Sequence, residues 1–470
     1  MAQVKGHGSN HTRLLDAPIE KRDKTSMSSD PISQNPASSA RAMHGLSGRA
    51  RLPGDKSISH RALILGASAT GITEIHGLLE GADVLASAQA MRTLGAQIEK
   101  RDAVYHVTGV GPAGFKSPDA PLDFGNAGTG VRLVMGLVAG SGIAAKCIGD
   151  ASLSARPMGR VMRPLEKMGA QFAAATGDRL PVEIAPAPLM PADITPDVVS
   201  AQVKSAILLA ALGTKGTTIV REKILTRDHS ENMLALFGAD ISRHKEDGHH
   251  VVALTGPAKL RACQVHVPGD PSSAAFPMIA ALLVPGSDVV LENIMLNRQR
   301  DGLVRVLRQM GGDISIENER QAAGETVADL RVRHSRLHAI DVAASIAPDM
   351  IDEYPALAVA AAAAQGTTHM AGLGELRVKE SDRLAAIVAG LKANGVAVDS
   401  GEDWLAVTGG TVAGGGTVAT HHDHRIAMAF LCLGLIAEQP VMIDDAAMIA
   451  TSFPDFFSLM AGLGARFEHG

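Results

Sequence analysis

Apolar stretches that end in a glycine and a small residue recur six times along this sequence. The glycines of the six copies are Gly95, Gly169, Gly238, Gly311, Gly395 and Gly464, separated by 74, 69, 73, 84 and 69 residues. Glycine is favoured just beyond a helix because it adopts the left-handed backbone conformation without steric cost. Each copy therefore predicts a helix, a glycine that ends it and a short strand. Six copies at nearly constant spacing indicate a structural repeat.

A second helix in each unit is predicted by apolar residues on nearly every face, a pattern typical of buried helices. Each of these helices opens with a polar or charged cluster. The clusters lie at residues 55–57, 126–129, 200–202, 270–273, 352–353 and 424–425. Helix N-termini carry partial positive charge and free N–H groups. If these N-termini face one cleft, that cleft would attract phosphates and carboxylates.

The tripeptide Pro-Gly-Asp occurs at residues 53–55 and again at 268–270, which indicates two similar halves. The 470 residues also exceed the roughly 250–300 at which a single core stops growing. We therefore predict two α/β domains of three repeat units each, with buried helices inside and sheets outside. The predicted domains are a discontinuous one of residues 45–54 plus 268–470 and an inserted one of residues 55–267.

Composition argues against several classes of protein. Lys and Arg number 44 against 49 Asp and Glu, and the net charge of −5 disfavours a general nucleic-acid binder. No apolar run approaches the roughly 20 residues of a membrane span. The cysteines Cys147, Cys263 and Cys432 are far apart, which favours neither zinc nor disulfides and indicates a reducing cytoplasm. Residues 1–44 are polar and serine-rich, which predicts a disordered extension.

Basic residues accompany the turns that contain glycine. Lys56 and Arg61 follow the first Pro-Gly-Asp turn, and Arg156 lies in a loop rich in serine. Asn126 and Gly128 open another helix, where glycine would let a ligand approach the backbone closely. Taken singly, each feature is explained at least as well by a capped helix or a surface loop.

The densest charged cluster spans residues 377–383. Glu380 and Arg383 are three residues apart and would share a helix face. Glu380 could then act as a general acid while Arg383 binds a substrate carboxylate. A salt-bridged helix start explains the same residues. Asp352 and Glu353 are favoured at a helix N-terminus by about 0.3–1 kcal/mol, or provide a base at the mouth of an anion cleft.

Histidines at residues 421, 422 and 424 suggest a metal site at first sight. Neither a helical His-x-x-x-His spacing nor a nearby cysteine supports one, so no metal is predicted. Arg425, at the start of a very apolar helix, fits an anion-binding role better.

Together these motifs resemble the 5-enolpyruvylshikimate-3-phosphate (EPSP) synthase family. The motifs concerned lie at residues 53–61, 126–132, 377–383 and 423–425, and those at 200–206, 226–229 and 450–454 resemble the bacterial class II group. The resemblance runs from about residue 45 to residue 467. It implies the enolpyruvyl transferase fold, which has two inside-out α/β domains, each of three repeated units with buried parallel helices.

The resemblance also implies a reaction. The enolpyruvyl group of phosphoenolpyruvate moves to the 5-hydroxyl of shikimate 3-phosphate through a tetrahedral intermediate, and phosphate is released. Neither a metal nor an organic cofactor is implied. The implied partners are these small anionic substrates, without nucleic acid or membrane, for a monomer in the cytoplasm.

Matching positions imply a role for individual residues. Those implied for shikimate 3-phosphate are Lys56, Ser57, Arg61, Ser200, Ala201, Gln202, Arg227, Asp352 and Lys379. Those implied for phosphoenolpyruvate are Lys56, Asn126, Gly128, Arg156, Gln202, Arg383 and Arg425. Asp352 is implied as the base that takes the hydroxyl proton, with Lys56 as the competing candidate, and Glu380 as the acid that protonates the methylene carbon.

Two positions depart from the family pattern. Residues 451–454 lack the lysine that many members carry there. Gly128 stands where glyphosate-tolerant class II members have alanine, which implies that glyphosate competes more effectively here.

Two alternative functions remain open at this point. A UDP-N-acetylglucosamine enolpyruvyl transferase has the same fold, but its reactive loop cysteine and its Lys-Asn motif are absent from residues 150–156 and 55–57. A non-catalytic anion-binding protein is the other alternative. The presence of both Asp352 and Glu380 argues against it, because a binder does not need these acids.

Overall fold

A computed structural model describes residues 35–469, in which short strands and helices alternate in a repeated pattern. The strands are β1 (Ala37–Ser39), β2 (Ser47–Arg51), β3 (Thr70–His76), β4 (Gln97–Arg101), β5 (Val104–Val110), β6 (Leu122–Asp123), β7 (Ala145–Ile148), β8 (Gln171–Ala175), β9 (Arg179–Ala185), β10 (Asp193–Ile194), β11 (Gly216–Glu222), β12 (Asp240–Glu246), β13 (His249–Gly256), β14 (Gln264–His266), β15 (Asp288–Met295), β16 (Asp313–Ala322), β17 (Glu325–Arg333), β18 (Asp341–Val342), β19 (Thr367–Ala371), β20 (Ala397–Ser400), β21 (Trp404–Thr408), β22 (Thr417–Val418), β23 (Val441–Ile443) and β24 (Phe467–His469). The α-helices are α1 (Lys56–Ser68), α2 (Ala82–Thr93), α3 (Gly128–Ser141), α4 (Ala151–Ser154), α5 (Gly159–Glu166), α6 (Ala201–Ala211), α7 (His229–Leu236), α8 (Pro271–Leu283), α9 (Gly302–Gln309), α10 (Ala347–Met350), α11 (Tyr354–Ala363), α12 (Arg383–Ala393), α13 (His424–Gly434) and α14 (Phe456–Gly462). Short 3₁₀ helices lie at Ala344–Ile346, Ile351–Glu353, Gly374–Val378 and Ala447–Thr451.

The strands of the described range form six sheets that share one topology. In each sheet the first strand pairs parallel with the second, and the third and fourth strands follow antiparallel. The sheets are β14-β3-β5-β4, β6-β7-β9-β8, β10-β11-β13-β12, β2-β15-β17-β16, β18-β19-β21-β20 and β22-β23-β1-β24. The structural repeat predicted from the sequence is therefore confirmed.

The repeat glycines lie just beyond the C-terminal ends of α2, α5, α7, α9, α12 and α14. Their φ angles range from 77° at Gly395 to 112° at Gly95, a region that side chains rarely adopt. The chain then enters a strand within three residues. The predicted order of helix, glycine and strand is confirmed at all six positions.

Buried apolar side chains form two hydrophobic cores. The first core draws mainly on residues 58–267 and contains α1, α3 and α6. The second core draws mainly on residues 274–465 and contains α8, α11 and α13. These six helices are buried along most of their length, as the apolar pattern predicts.

Small residues let helices of the first core approach closely. A Cβ atom on Gly136 would lie 2.1 Å from the carbonyl oxygen of Ala206, and one on Gly140 would lie 2.4 Å from that of Ala210. Helices α3 and α6 therefore pack backbone against backbone. Such close packing explains how a chain with only 3% aromatic residues fills its interior.

The chain passes between the two cores in two adjacent segments, where Gly54 and Gly269 form an antiparallel bridge. Met295 joins the first core although it follows the second crossing. Asn35–Gly470 forms one compact unit. The predicted boundaries of the two domains stay a prediction. In the part of the chain that the structure describes, no helix has the length and apolar character needed to cross a bilayer.

The prediction of a disordered extension over residues 1–44 is wrong for strand β1. This strand lies between β23 and β24 as the third strand of the last sheet, and Ala37 and Ser39 are buried. Three residues of Ala-Ser-Ser carry no apolar alternation, and their backbone pairs with strands some 400 residues away. Composition therefore could not reveal it. Residues 1–34, which the same prediction covers, lie outside the described residues.

Candidate active site

A cavity of about 400 Å³ lies at the N-terminal ends of the six buried helices. Each helix contributes a lining residue from its first turn or from just before it: Lys56, Gly128, Ala201, Ser272, Asp352 and Arg425. The expectation that these N-termini share one cleft is therefore confirmed. Their partial positive charge and free N–H groups favour anions.

Cationic side chains outnumber acidic ones in the cavity wall by nine to five. The cationic residues are Lys56, Arg61, Arg132, Arg156, Arg160, Arg227, Arg300, Lys379 and Arg425. The acidic residues are Asp83, Asp270, Asp352, Glu375 and Glu380. The excess of positive charge suits small molecules that carry several phosphate or carboxylate groups.

Most of the predicted site residues meet in this cavity. Those that line it are Lys56, Ser57, Arg61, Asn126, Gly128, Arg156, Ser200, Ala201, Gln202, Arg227, Asp352, Lys379, Glu380 and Arg425. Arg383 is the exception, because its side chain is fully buried behind the wall. The tertiary structure thus brings together residues that are up to 369 positions apart in the sequence.

Arg383 connects three carboxylates. Its Nε donates to Asp423 Oδ2 at 2.7 Å, its Nη1 to Asp352 Oδ1 at 3.1 Å and its Nη2 to Glu380 Oε2 at 2.5 Å. Burial alone would lower the pKa of Arg383, but Asp423, Glu380 and Asp352 raise it, so the side chain stays charged. Arg383 therefore fixes the two candidate catalytic acids relative to each other.

Replacing Arg383 by glutamine is expected to lower the free energy of unfolding by about 3–5 kcal/mol, since it leaves carboxylates without their buried cation. Urea denaturation measures the change. Arg163→Gln is the control, because Arg163 pairs with Asp178 at the surface and contributes about 0–1 kcal/mol. A loss below about 1 kcal/mol for Arg383→Gln would contradict the connecting role.

Asp352 is held as a carboxylate. Arg227 Nη2 lies 2.8 Å from its Oδ2, and Lys379 Nζ lies 3.4 Å from its Oδ1. Burial would raise the pKa of Asp352, yet Lys379, Arg227, Arg425 and Arg383 together hold it well below its usual value. Asp352 is thus present in the form that can accept a proton.

Lys56 and Glu380 are both charged in this structure. Burial opposes the charge of Lys56, but Asp83, 3.1 Å from Nζ, and Glu380 raise its pKa. Burial likewise opposes ionisation of Glu380, while Arg383, His424, Lys56 and Arg156 hold its pKa well below the usual value. Lys56 is therefore an ammonium, which cannot accept a proton. Glu380 needs a rise in pKa before it can donate one.

Sequence reasoning missed Arg132 and Asp83 as parts of the site. Arg132 lies four residues after Gly128 on α3, so helical spacing alone could have identified it. Its Nη1 donates to Gln202 Oε1 at 2.9 Å, and its buried Nε has no hydrogen-bond partner among the described residues. Asp83 lines the cavity and accepts a hydrogen bond from Lys56 Nζ at 3.1 Å, a contact that no local pattern predicts.

A family model and curated relatives match nearly the whole chain. The model of EPSP synthase (3-phosphoshikimate 1-carboxyvinyltransferase) matches residues 40–460. A 3-phosphoshikimate 1-carboxyvinyltransferase of Parvibaculum lavamentivorans is 58% identical over 429 residues, which are 90% of this chain and 95% of that protein. The chain belongs to the EPSP synthase family. The resemblance predicted from the motifs is confirmed.

Solved structures agree with this membership of the EPSP synthase family. An EPSP synthase from Acinetobacter baumannii is 41% identical, with a TM-score of 0.84 over 93% of this chain and 100% of that one. The enolpyruvyl transferase NikO from Streptomyces tendae has a TM-score of 0.73 over 93% of this chain and 99% of that one. At 19% identity NikO supports the fold alone. The predicted enolpyruvyl transferase fold is confirmed.

Proposed function

We propose that this chain transfers the enolpyruvyl group of phosphoenolpyruvate to the 5-hydroxyl of shikimate 3-phosphate and releases phosphate. The observation that carries the proposal is the pair of carboxylates, Asp352 and Glu380, which Arg383 holds together in the wall of a cationic cavity. Both substrates are small polyanions, which the helix N-termini and arginines favour. Family membership supports the same reaction.

The two substrates are assigned to two sets of residues that share Lys56 and Gln202. Shikimate 3-phosphate is proposed to bind Lys56, Ser57, Arg61, Ser200, Ala201, Gln202, Arg227, Asp352 and Lys379. Phosphoenolpyruvate is proposed to bind Lys56, Asn126, Gly128, Arg156, Gln202, Arg383 and Arg425. Arg383 must exchange one of its carboxylate partners for the substrate, because its side chain is fully buried and its donors are occupied in this structure. Arg132 joins the second group, because it lines the cavity and its Nη1 donates to Gln202 Oε1 and to the Gly128 carbonyl. Bidentate guanidinium groups suit phosphate and carboxylate better than ammonium groups do.

In the first step Asp352 takes the proton of the 5-hydroxyl while the hydroxyl oxygen bonds to C2 of phosphoenolpyruvate. The ionised state of Asp352 favours it over Lys56 as the base. Glu380 gives a proton to C3, which becomes a methyl group in the tetrahedral intermediate. The negative charges of both substrates oppose the cations around Glu380, so its pKa is expected to rise on binding.

In the second step the bond between C2 and the phosphate oxygen breaks. A proton leaves the methyl group and returns to Glu380, which restores the double bond. Asp352 gives its proton to the departing phosphate. Both acids end in their starting state, and no cofactor enters either step. Positioned proton transfer of this kind contributes about 10²–10⁴-fold to the rate.

Phosphate release by the purified protein tests the proposal. The assay contains both substrates, then each substrate alone, and then UDP-N-acetylglucosamine in place of shikimate 3-phosphate. Release that requires phosphoenolpyruvate and shikimate 3-phosphate together supports the proposed transferase. Release only with the nucleotide sugar indicates the alternative transferase. Binding of both substrates without release indicates an anion-binding protein.

The cellular location, oligomeric state and partners of the protein are part of the same proposal. We place it as a cytoplasmic monomer without nucleic-acid or membrane partners. The net charge of −5 disfavours nucleic-acid binding, and the free thiols Cys147, Cys263 and Cys432 favour a reducing compartment. Light scattering on the purified protein determines the oligomeric state.

Replacing Gly128 by alanine is expected to weaken glyphosate about tenfold or more, with a smaller change in KM for phosphoenolpyruvate. The new Cβ would lie 3.0 Å from Arg156 Nη1 and 3.3 Å from Arg132 Nη1, so it narrows the space between these groups. Glyphosate, the longer molecule, meets the methyl group first. Inhibition curves of the two proteins measure the effect.

Gly462→Ala is the matched control for this substitution, because a Cβ there meets nothing within 4 Å and the residue is absent from the cavity wall. It should leave glyphosate inhibition unchanged. Equal inhibition of the unaltered protein and Gly128→Ala would contradict the proposed position of Gly128 beside the inhibitor.

A further inference from the structure

A buried cluster of polar side chains joins the two halves of the chain beside the cavity. His229 Nδ1 lies 2.8 Å from Glu325 Oε1. Asn297 Nδ2 donates to Glu325 Oε2 at 2.6 Å and to Asp228 Oδ1 at 2.7 Å. The side chains of His229 and Glu325 are each 1% exposed. We call Asp228, His229, Asn297 and Glu325 the inter-core bridge.

The inter-core bridge joins elements that pack in different hydrophobic cores. Asp228 and His229 are at the start of α7, whose apolar residues pack in the first core. Asn297 follows β15 and Glu325 opens β17, two strands that pack in the second core. Ala323, at the tip of the hairpin before β17, packs against the first core. The hairpin therefore reaches across to hold the start of α7.

Hydrogen bonds explain this cluster better than a metal ion does. Ligand atoms of Asp228, His229 and Glu325 lie within 4.8 Å of one another, a spacing that a cation could use. However, the Asn297 amide nitrogen lies between the two carboxylates and donates to both. Burial would raise the pKa of Glu325, but the hydrogen bonds from His229 and Asn297 hold it below its usual value. Glu325 is thus an ionised acceptor.

The inter-core bridge adjoins the loop of residues 223–228, which connects β11 to α7 and carries Arg227. Both ends of this loop are fixed within the first core, since buried Lys204 Nζ lies 2.7 Å from Glu222 and 2.8 Å from Glu231. Between these ends Arg227 reaches the opposite half, where its Nη2 donates to Asp352 Oδ2 at 2.8 Å. The bridge is the contact next to Arg227 in sequence that ties this loop to the second core.

We propose that the inter-core bridge is a positioning device that places Arg227 against Asp352 and so sets the affinity for shikimate 3-phosphate. The inference rests on the proposed function, which assigns that substrate to Arg227. His229 lines the cavity, but this role requires no contact between the substrate and any of the four bridge side chains. Their effect passes through the backbone from Asp228 to Arg227.

Glu325→Gln tests the bridge, because it keeps the shape of the side chain and removes the charge that His229 and Asn297 face. The Kd of shikimate 3-phosphate, measured by calorimetry, is expected to rise about tenfold, as loss of a charge-assisted hydrogen bond predicts. Asp329→Asn is the control. Asp329 lies on the same strand, is 7% exposed and accepts from the Asn293 backbone at 2.9 Å. Its substitution should change the Kd less than twofold.

A double-mutant comparison separates positioning from general destabilisation. In an Arg227→Gln background, Glu325→Gln is expected to add less than a twofold change, because the residue through which it acts is gone. A further tenfold loss in that background would overturn the proposal. An unchanged Kd in Glu325→Gln alone, or an equal rise in Asp329→Asn, would overturn it as well.

Amide hydrogen exchange provides a measurement that does not depend on the substrate. Exchange at residues 223–227 is expected to be faster in Glu325→Gln than in the unaltered protein or in Asp329→Asn. Unchanged exchange would overturn the bridge whatever the activity of the protein. If exchange is faster in Glu325→Gln but the unaltered protein binds no shikimate 3-phosphate, the positioning role of the bridge is supported and the proposed function is rejected.

Discussion

Asp352→Asn is expected to lower kcat by about 10²–10⁴-fold, which is the usual contribution of a positioned general base. The asparagine keeps the shape but cannot take the hydroxyl proton. Lys56 cannot replace it, because neighbouring carboxylates keep its amine protonated. Shikimate 3-phosphate should still bind within about fivefold, since Arg227, Lys379 and the other cations remain. Phosphate release and calorimetry measure the two quantities separately.

Asp349→Asn is the matched control for this substitution. Asp349 lies three residues before Asp352 and pairs with Arg305, and it is absent from the cavity wall. Its substitution should leave kcat within about twofold. Turnover of Asp352→Asn within tenfold of the unaltered protein would remove Asp352 as the base and return that role to Lys56.

Glu380→Gln is expected to lower kcat by about 10²–10⁴-fold without loss of substrate binding, because glutamine has no proton to give to C3. The pH profile supplies a second measurement. Glu380 must be protonated to act, so kcat should fall as pH rises through its pKa in the ternary complex. Glu380→Gln should lack this alkaline fall. It should also stop deuterium from solvent entering the methylene group of the product.

Glu375→Gln is the control for Glu380→Gln. Glu375 lines the same cavity and carries the same functional group, but it is exposed and has no assigned proton transfer. Its pH profile and deuterium incorporation should match those of the unaltered protein. Normal turnover of Glu380→Gln, with deuterium still incorporated, would remove Glu380 from the mechanism.

Local sequence patterns predicted those elements whose conformation depends on residues nearby in the sequence. A residue such as Gly95 or Gly464 ends its helix because a positive φ is needed there, whatever lies elsewhere in the chain. The apolar faces of α3 and α13 likewise predict burial from a few turns of helix. The polar clusters at the helix starts then identified the part of the cavity wall that each of the six helices contributes.

Contacts between distant residues needed the tertiary structure. Strand β1 has three residues without an apolar pattern, and only β23 and β24 make it a strand. The predicted phosphoenolpyruvate ligand Arg383 proved fully buried, with its donors bound to the carboxylates of Asp352, Glu380 and Asp423. Asp83 lines the cavity and pairs with Lys56, which lies 27 residues away in the sequence. Such pairs form when the whole chain packs, so no spacing along the sequence encodes them.

The sequence by itself determined six repeat units, six buried helices with polar starts and the residue types of an anion site. The tertiary structure decided which charges meet, and therefore which groups are ionised. The pKa values of Asp352 and Glu380 depend on cations that lie far apart in the sequence, from Lys56 to Arg425. Electrostatic energy depends on distance in space, whereas the sequence records only order along the chain. The ionised states of Asp352 and Glu380 before substrate binds therefore follow from the fold.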